Sequence, residues 1–173
     1  MNAIPNHPIH RQSGAALIVS LILLLVMTLL GVSAMQTNVL EEKMAGNFRD
    51  RDLAFQAAEA ALRDGETDIS LPGGRISGLS HFSTDCSDGL CDATTGFSDV
   101  WKDATKSSNS VTRGSYTGAS TLAKVSQQPV YWIEGYKIRP PGSASWKYRY
   151  RITAIGYGGN PNTRVILQSV YSP

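Results

Sequence analysis

Several things are scarce in this chain, and each scarcity narrows what it can do. It holds three histidines and two cysteines in 173 residues. No zincin, P-loop or nucleophile-elbow pattern occurs, so no enzyme activity is expected. The formal net charge is +2, too small to argue for nucleic acid, and none is expected as a partner. From Gln12 to Leu40 no side chain is charged, and from Ile9 to Leu71 there is no proline. Charged residues make up only 17% of the chain and hydrophobic ones 42%. That balance suits one folded domain plus an extension rather than a protein with many membrane spans.

The uncharged stretch contains AALIVSLILLLVMTLLGVSAM, Ala15 to Met35. About twenty apolar residues span the ~30 Å core of a bilayer as a helix. A secretory signal has a shorter apolar stretch, followed by a small-residue cleavage site. Here Ser13-Gly14-Ala15 comes before the run. Cutting there removes MNAIPNHPIHRQSG, with Arg11, His7 and His10, and leaves the apolar helix on the product. His81 is then the only histidine retained, which excludes a multi-histidine metal site. Arg11 lies before the span and Glu41 and Glu42 after it, so the positive-inside rule leaves the bulk of the chain outside the cytoplasm. Hydropathy alone also fits a plain single-span anchor.

Beyond the apolar run, residues 36–64 keep helical spacing. Leu40, Met44, Phe48, Phe55, Ala58 and Leu62 recur at helical intervals and are expected to pack on the domain. Glu42, Arg49, Asp50, Asp52 and Glu59 fall on the opposite side. Gly65, after Arg63-Asp64, is the expected stop. The whole reads as one helix of about fifty residues, on the order of 75 Å long.

Residues 66–128 are rich in Gly, Ser, Thr and Asp. They read as loops and short elements, with Ile76, Leu79, Phe82, Phe97 and Trp101 as anchors. Residues 129–138, 147–157 and 163–171 are β-branched and aromatic, separated by RPPGSAS and GGNPN. Tyr148, Tyr150, Ile152 and Ala154 alternate with Arg149, Arg151 and Thr153, which predicts a sheet with one buried face. The predicted fold is α+β, with an antiparallel sheet at about 129–171 laid on the amphipathic half of the helix.

Outside the inner membrane, Cys86 and Cys91 are expected to close a small disulfide loop. Asp85, Asp88 and Asp92 flank them. Their closeness suits calcium, but the EF-hand spacing is not met, and solvated loop acids is the preferred reading. No metal or other cofactor is expected. Lys124, Lys137, Arg139, Lys147, Arg149, Arg151 and Arg164 outnumber Glu134 in the strand region. They suit an acidic partner, and equally a solvated face whose charges blunt edge pairing.

The short basic leader ending in Gly14, the start at Ala15 and the two-part helix resemble the prepilins. GAALIVSLILLLVMTLLGVSAM and EEKMAGNFRDRDLAFQAAEAALR are similar to the N-terminal region of the PilX minor pilins of type IV pilus systems. ITAIGYGGNPNTRVILQSVY near the C-terminus also resembles that family.

The resemblance implies a pilin-like fold in four parts: a leader (1–14), a membrane and filament-core helix (15–35), its amphipathic continuation (36–64) and an exported domain (65–173). It further implies cleavage between Gly14 and Ala15 by a prepilin peptidase, and N-methylation of Ala15. A single pass of the inner membrane before assembly, then a place in the pilus, also follows. Other minor pilins, the major pilin and a PilY-type tip adhesin are the implied partners. The implied role is a minor pilin that primes assembly at or near the tip and supports twitching motility and adhesion.

One position departs from the pattern. Most pilins carry glutamate at the fifth residue of the mature chain, where it neutralises a neighbour's N-terminal ammonium. Here that residue is Val19. A minor pseudopilin of a type II secretion system, a filament-displayed DNA- or surface-binding module and a single-span enzyme are the competing readings.

Overall fold

A computed structural model describes residues 14–173 of the chain. It comprises two compact units, one ending at Gly46 and the other running from Asn47 to Pro173. Helix α1 (Ala15–Ser70) starts in the first and ends in the second. In the first unit the helix is uncharged through Leu40, and two hydroxyls in it are satisfied within the helix. Ser20 Oγ donates to the Leu17 carbonyl (2.9 Å) and Thr28 Oγ1 to that of Leu25 (2.8 Å). This is how a hydroxyl sits in an apolar surround without an unpaired donor.

The second unit is built on a mixed sheet. Its strands are β1 (Leu90–Asp92), β2 (Val111–Thr112), β3 (Val130–Ile138), β4 (Lys147–Tyr157) and β5 (Arg164–Tyr171). The order is β1-β3-β4-β5, with β2 also on β3. The three long strands form the antiparallel meander expected from the alternation at 129–171. β1 runs parallel to β3, so the sheet is mixed rather than purely antiparallel. β1 and β2 are too short to show a period of two, which is why the sequence reads that region as loop. The short helix α2 (Ala104–Ser108) is capped by Asp103, whose carboxylate accepts from the Thr105 (2.9 Å) and Lys106 (3.3 Å) amides.

Both faces of the sheet are buried, not one. On the helix face lie Tyr131, Ile133, Tyr150, Ile152 and Ala154, with Ala61 and Ile69 of α1. Ile76, Leu79 and Phe82 cover the same face as expected, the last two in the space left by Gly135. On the other face, Val130, Trp132 and Ile155 meet Val100 and the Cys86–Cys91 disulfide, flanked by Trp101. The buried Trp132 indole donates to the Lys106 carbonyl (2.9 Å). Phe97 stays exposed, edge-on to Tyr136.

The helix differs from expectation in two ways. It does not stop at Gly65. A Cβ there would lie 2.9 Å from Ile152 Cγ2, so the glycine serves close approach to the sheet. The helix ends at Ser70 because Pro72 lacks an N–H and disfavours helical backbone at Leu71. The buried side is also not the Leu–Met–Phe stripe. It is Ala54, Ala57, Ala58, Ala61, Asp64, Gly65 and Asp68, while Leu40, Met44, Phe48 and Phe55 are exposed and Leu62 is half-buried. Of the predicted stripe, only Ala58 is fully covered. Small side chains win this face because the sheet meets the helix backbone itself: a Cβ on Gly156 would fall 2.2 Å from the Ala54 oxygen and the Ala58 nitrogen.

Candidate assembly site

The candidate site is the N-terminal helix, whose apolar surface is left uncovered. Gly14, the last residue before α1, is exposed with open space around it. Ala15 opens the helix, and Val19 follows one turn later. From Leu17 to Val32 every large aliphatic is exposed, including Val19 at 55%. No acid lies in the first turn of α1, and the first carboxylates are those of Glu41 and Glu42. The helix is long and apolar enough to cross a membrane. Residues 1–13, with Arg11, His7 and His10, lie outside the described residues.

In the second unit, acids on α1 tie the domain to the helix. Asp50, expected to face solvent, accepts from the amides of Gly159 (2.6 Å) and Asn160 (3.2 Å) in the β4–β5 turn. The Thr163 hydroxyl foremost, and these amides after it, hold its carboxyl below the usual carboxylate range. The buried Asp64 accepts from the Gly114 amide (2.8 Å) and from the Thr117 hydroxyl.

Asp68, also buried, takes a two-nitrogen contact from Arg75 (2.6 and 3.1 Å) and a hydrogen bond from Tyr131 Oη (2.9 Å). Burial works against the Arg75 charge, but Asp68 outweighs it, so the guanidinium is held above its ordinary value. Burial foremost, then the Asp68 charge, pushes the Tyr131 phenol up. Sequence reading missed Asp64 and Asp68. The available signal was their spacing from Ala54, Ala57 and Ala61 along one helix face.

The cysteines are bonded and buried, at 0% and 3% exposure, so the bridge belongs to the second core as well as to its loop. The neighbouring acids are not gathered around a cation. Asp85 accepts from Ser87 Oγ (2.9 Å), Asp92 accepts from the Thr94 amide (2.8 Å), and the Asp88 carbonyl accepts from Arg75 (2.6 Å). Hydrogen bonds from Ser83 first, and then Ser87, keep the Asp85 carboxyl below its ordinary value. Among the described residues no group of three or more His, Cys, Asp or Glu is placed to hold a metal ion. His81 is exposed.

Of the strand cations, Arg151 is neutralised by the buried Glu134 through two contacts (2.6 and 2.7 Å). That pair sits directly across β3–β4 in the register.

Residues 13–63 match the family described as PilX N-terminal, and residues 87–173 match the type IV pilus assembly protein PilX C-terminal family. The chain belongs to the PilX family. It is therefore a type IV pilus minor pilin, a structural subunit that associates with other pilus components. The exposed apolar helix fits membrane anchoring and incorporation into the pilus, as this family requires. The α+β pilin-like arrangement, one long N-terminal helix with a C-terminal sheet, agrees with it. No curated protein and no solved structure matches the chain.

Proposed function

We propose that this minor pilin primes assembly of a type IV pilus and resides at or near the growing tip, supporting twitching motility and adhesion. The observation that carries the reading is Val19, the fifth residue of a helix that is uncharged and exposed around its whole circumference there. A helix of that kind leaves the bilayer only for a bundle of like helices. Inside such a bundle an unpaired ammonium costs several kcal/mol, so each N-terminus needs a carboxylate partner. A subunit beginning at Ala15 can present its ammonium to a neighbour's glutamate. It cannot return the contact, because Val19 has no charge. The asymmetry favours the place where no earlier subunit waits to be neutralised, which is the initiating complex.

The reading includes cleavage between Gly14 and Ala15 by the prepilin peptidase, methylation of Ala15, and a single pass of the inner membrane before assembly, with the bulk of the chain in the periplasm. Other minor pilins, the major pilin and a PilY-type tip adhesin are the proposed partners. Labelling the exported domain and imaging sheared pili tests the tip assignment. A few labels confined to one end are expected, and uniform decoration of the shaft defeats it. Intact-mass analysis of the purified subunit tests processing: a start at Ala15 plus one methyl group is expected, and a start near Met35 rejects it.

A further inference from the structure

The loop between the two cysteines and the stretch from Ser108 to Tyr116 line an open cleft of about 310 Å³ in the second unit. Asp88, Asn109, Ser110, Thr112, Ser115 and Tyr116 all contribute to it. The lining contains one aliphatic side chain, Val111, and, among the described residues, no lysine or arginine. Its polar groups are largely unspent. Among the described residues, the Asp88 carboxylate, the Ser110, Thr112 and Ser115 hydroxyls and the Tyr116 phenol have no hydrogen-bond partner within the chain. Asn109 donates to the Asp85 carbonyl (2.8 Å) and leaves its side-chain oxygen unused.

Solvated hydroxyls on a loose loop would call for no explanation, but these are held in place. Arg75 donates to the Asp88 carbonyl (2.6 Å), and its guanidinium lies 3.7 Å from the centre of the Tyr116 ring. Arg75 is itself locked by the buried Asp68 of α1, which also accepts from Tyr131 of β3. One cation therefore ties two parts of the cleft to both the helix and the sheet. The disulfide closes the Asp88 loop, where Cys86 and Asp88 hold left-handed backbone (φ 62° and 54°). A Cβ on Gly89 would fall 2.6 Å from Val111 Cγ2, so the loop is pressed against β2. Groups fixed in this way lose little freedom when a ligand arrives.

The lining decides which class of ligand fits. One carboxylate is too few for a calcium-type cation. An anion meets the Asp88 charge, while Arg75 is already neutralised by Asp68. One aliphatic is too few for an apolar ligand, and β2, two residues long, is too short an edge for an extended peptide. What remains is a neutral molecule dense in hydroxyls, able both to donate and to accept.

We propose that this cleft binds a neutral sugar. The Asp88 and Asn109 oxygens accept from its hydroxyls, and the serine, threonine and tyrosine hydroxyls turn to suit the rest. The Tyr116 ring is 44% exposed even with Arg75 against it, and it offers its remaining surface to the C–H groups of the sugar. The site gives a ligand class to the adhesion in the proposed function, and in that respect alone rests on that reading.

The test uses the full chain in a polyoxyethylene detergent, which carries no sugar headgroup. Glucose, galactose and mannose are the probes, read by saturation-transfer NMR, each beside its uronic acid. At least one neutral sugar is expected to take up saturation, and its uronic acid to bind more weakly. Asp88→Asn, which tolerates the left-handed backbone, should remove that difference. Thr112→Val with Ser115→Ala, both at exposed positions, should weaken sugar binding by about tenfold. The matched pair Thr94→Val with Thr95→Val, exposed elsewhere, should leave it unchanged. The proposal is overturned if none of the three sugars binds, if sugar and uronic acid bind equally, or if both double variants lose equally. A neutral tetrapeptide of serine and asparagine bound as tightly as the sugar also overturns it, and assigns the cleft to protein. Binding is measured on the unassembled subunit, so failure here leaves the tip assignment standing, and the reverse also holds.

Discussion

Asp50 joins the helix to a turn 109 residues away, through amide donors and not through an ion pair. Its folded pKa lies below the ordinary value, so the sign of its pH effect is fixed. The stabilisation is present above the unfolded value of about 3.9 and is lost as pH falls through the folded one. Asp50→Asn should lower the melting temperature at neutral pH and converge with the natural chain once the pH falls below the lowered folded value. Melting curves from pH 7 to pH 2 in detergent check this, and parallel curves throughout would refute it. Asp68 is a different case, because it is buried against Arg75 and Tyr131. Asp68→Ala strands the guanidinium and should cost about 3–5 kcal/mol in denaturant unfolding. A loss under 1 kcal/mol would mean that water replaces the carboxylate. Val19 is the residue-scale feature on which the proposed place in the filament rests, and its effect is seen only at the scale of the whole molecule.

Helix α1 carries two apolar surfaces with different partners. The alanine and glycine face, from Ala54 to Gly65, is taken by the sheet. The larger side chains Leu40, Met44, Phe48 and Phe55 are left uncovered in the single chain. A pattern of apolar spacing cannot tell the two apart, because it counts hydrophobicity and not how near a backbone must come. Gly156 marks the closest approach. Gly156→Ala puts a methyl group into the helix backbone and should destabilise by about 3 kcal/mol. Gly46→Ala meets nothing within 4 Å and should be neutral or slightly stabilising. Equal melting temperatures for the two variants would contradict the packing. The Cys86–Cys91 bridge closes so short a loop that restraining the unfolded chain contributes only about 2 kcal/mol. Since both cysteines share a buried cluster with Trp132, reduction should also shift the fluorescence of that core. A thiol reagent that labels the native protein before reduction would show the bridge to be open.

Across the whole molecule, the outcome of interest is where the subunit travels once it leaves the bilayer. Val19→Glu adds the carboxylate that interior subunits use and leaves the second unit untouched, so folding and membrane insertion should persist. Labelled Val19→Glu subunits are expected along the shaft, where the natural chain is expected only near one end. Tip-confined label for both versions would show that position is set by the exported domain and not by the helix.

The sequence by itself determined the long helix, its uncharged first half, the three long strands and the turns between them. A membrane-length apolar run and a two-residue alternation are local patterns set by composition and spacing, whereas the family was carried by the resemblance of the N- and C-terminal segments. It could not determine which helix face meets the sheet, that the helix passes Gly65, or that both sheet faces are covered. Those depend on how closely segments approach in three dimensions, backbone against backbone at Gly156 and side chains against backbone at Gly65 and Gly135. Nor could it sort the strand cations. Glu134 cancels Arg151 only because β3 and β4 pair in that register, and the same register divides Lys137 from Lys147 and Arg149 between the two faces of the hairpin. Charge in a sequence is a sum, whereas charge in a fold is a position.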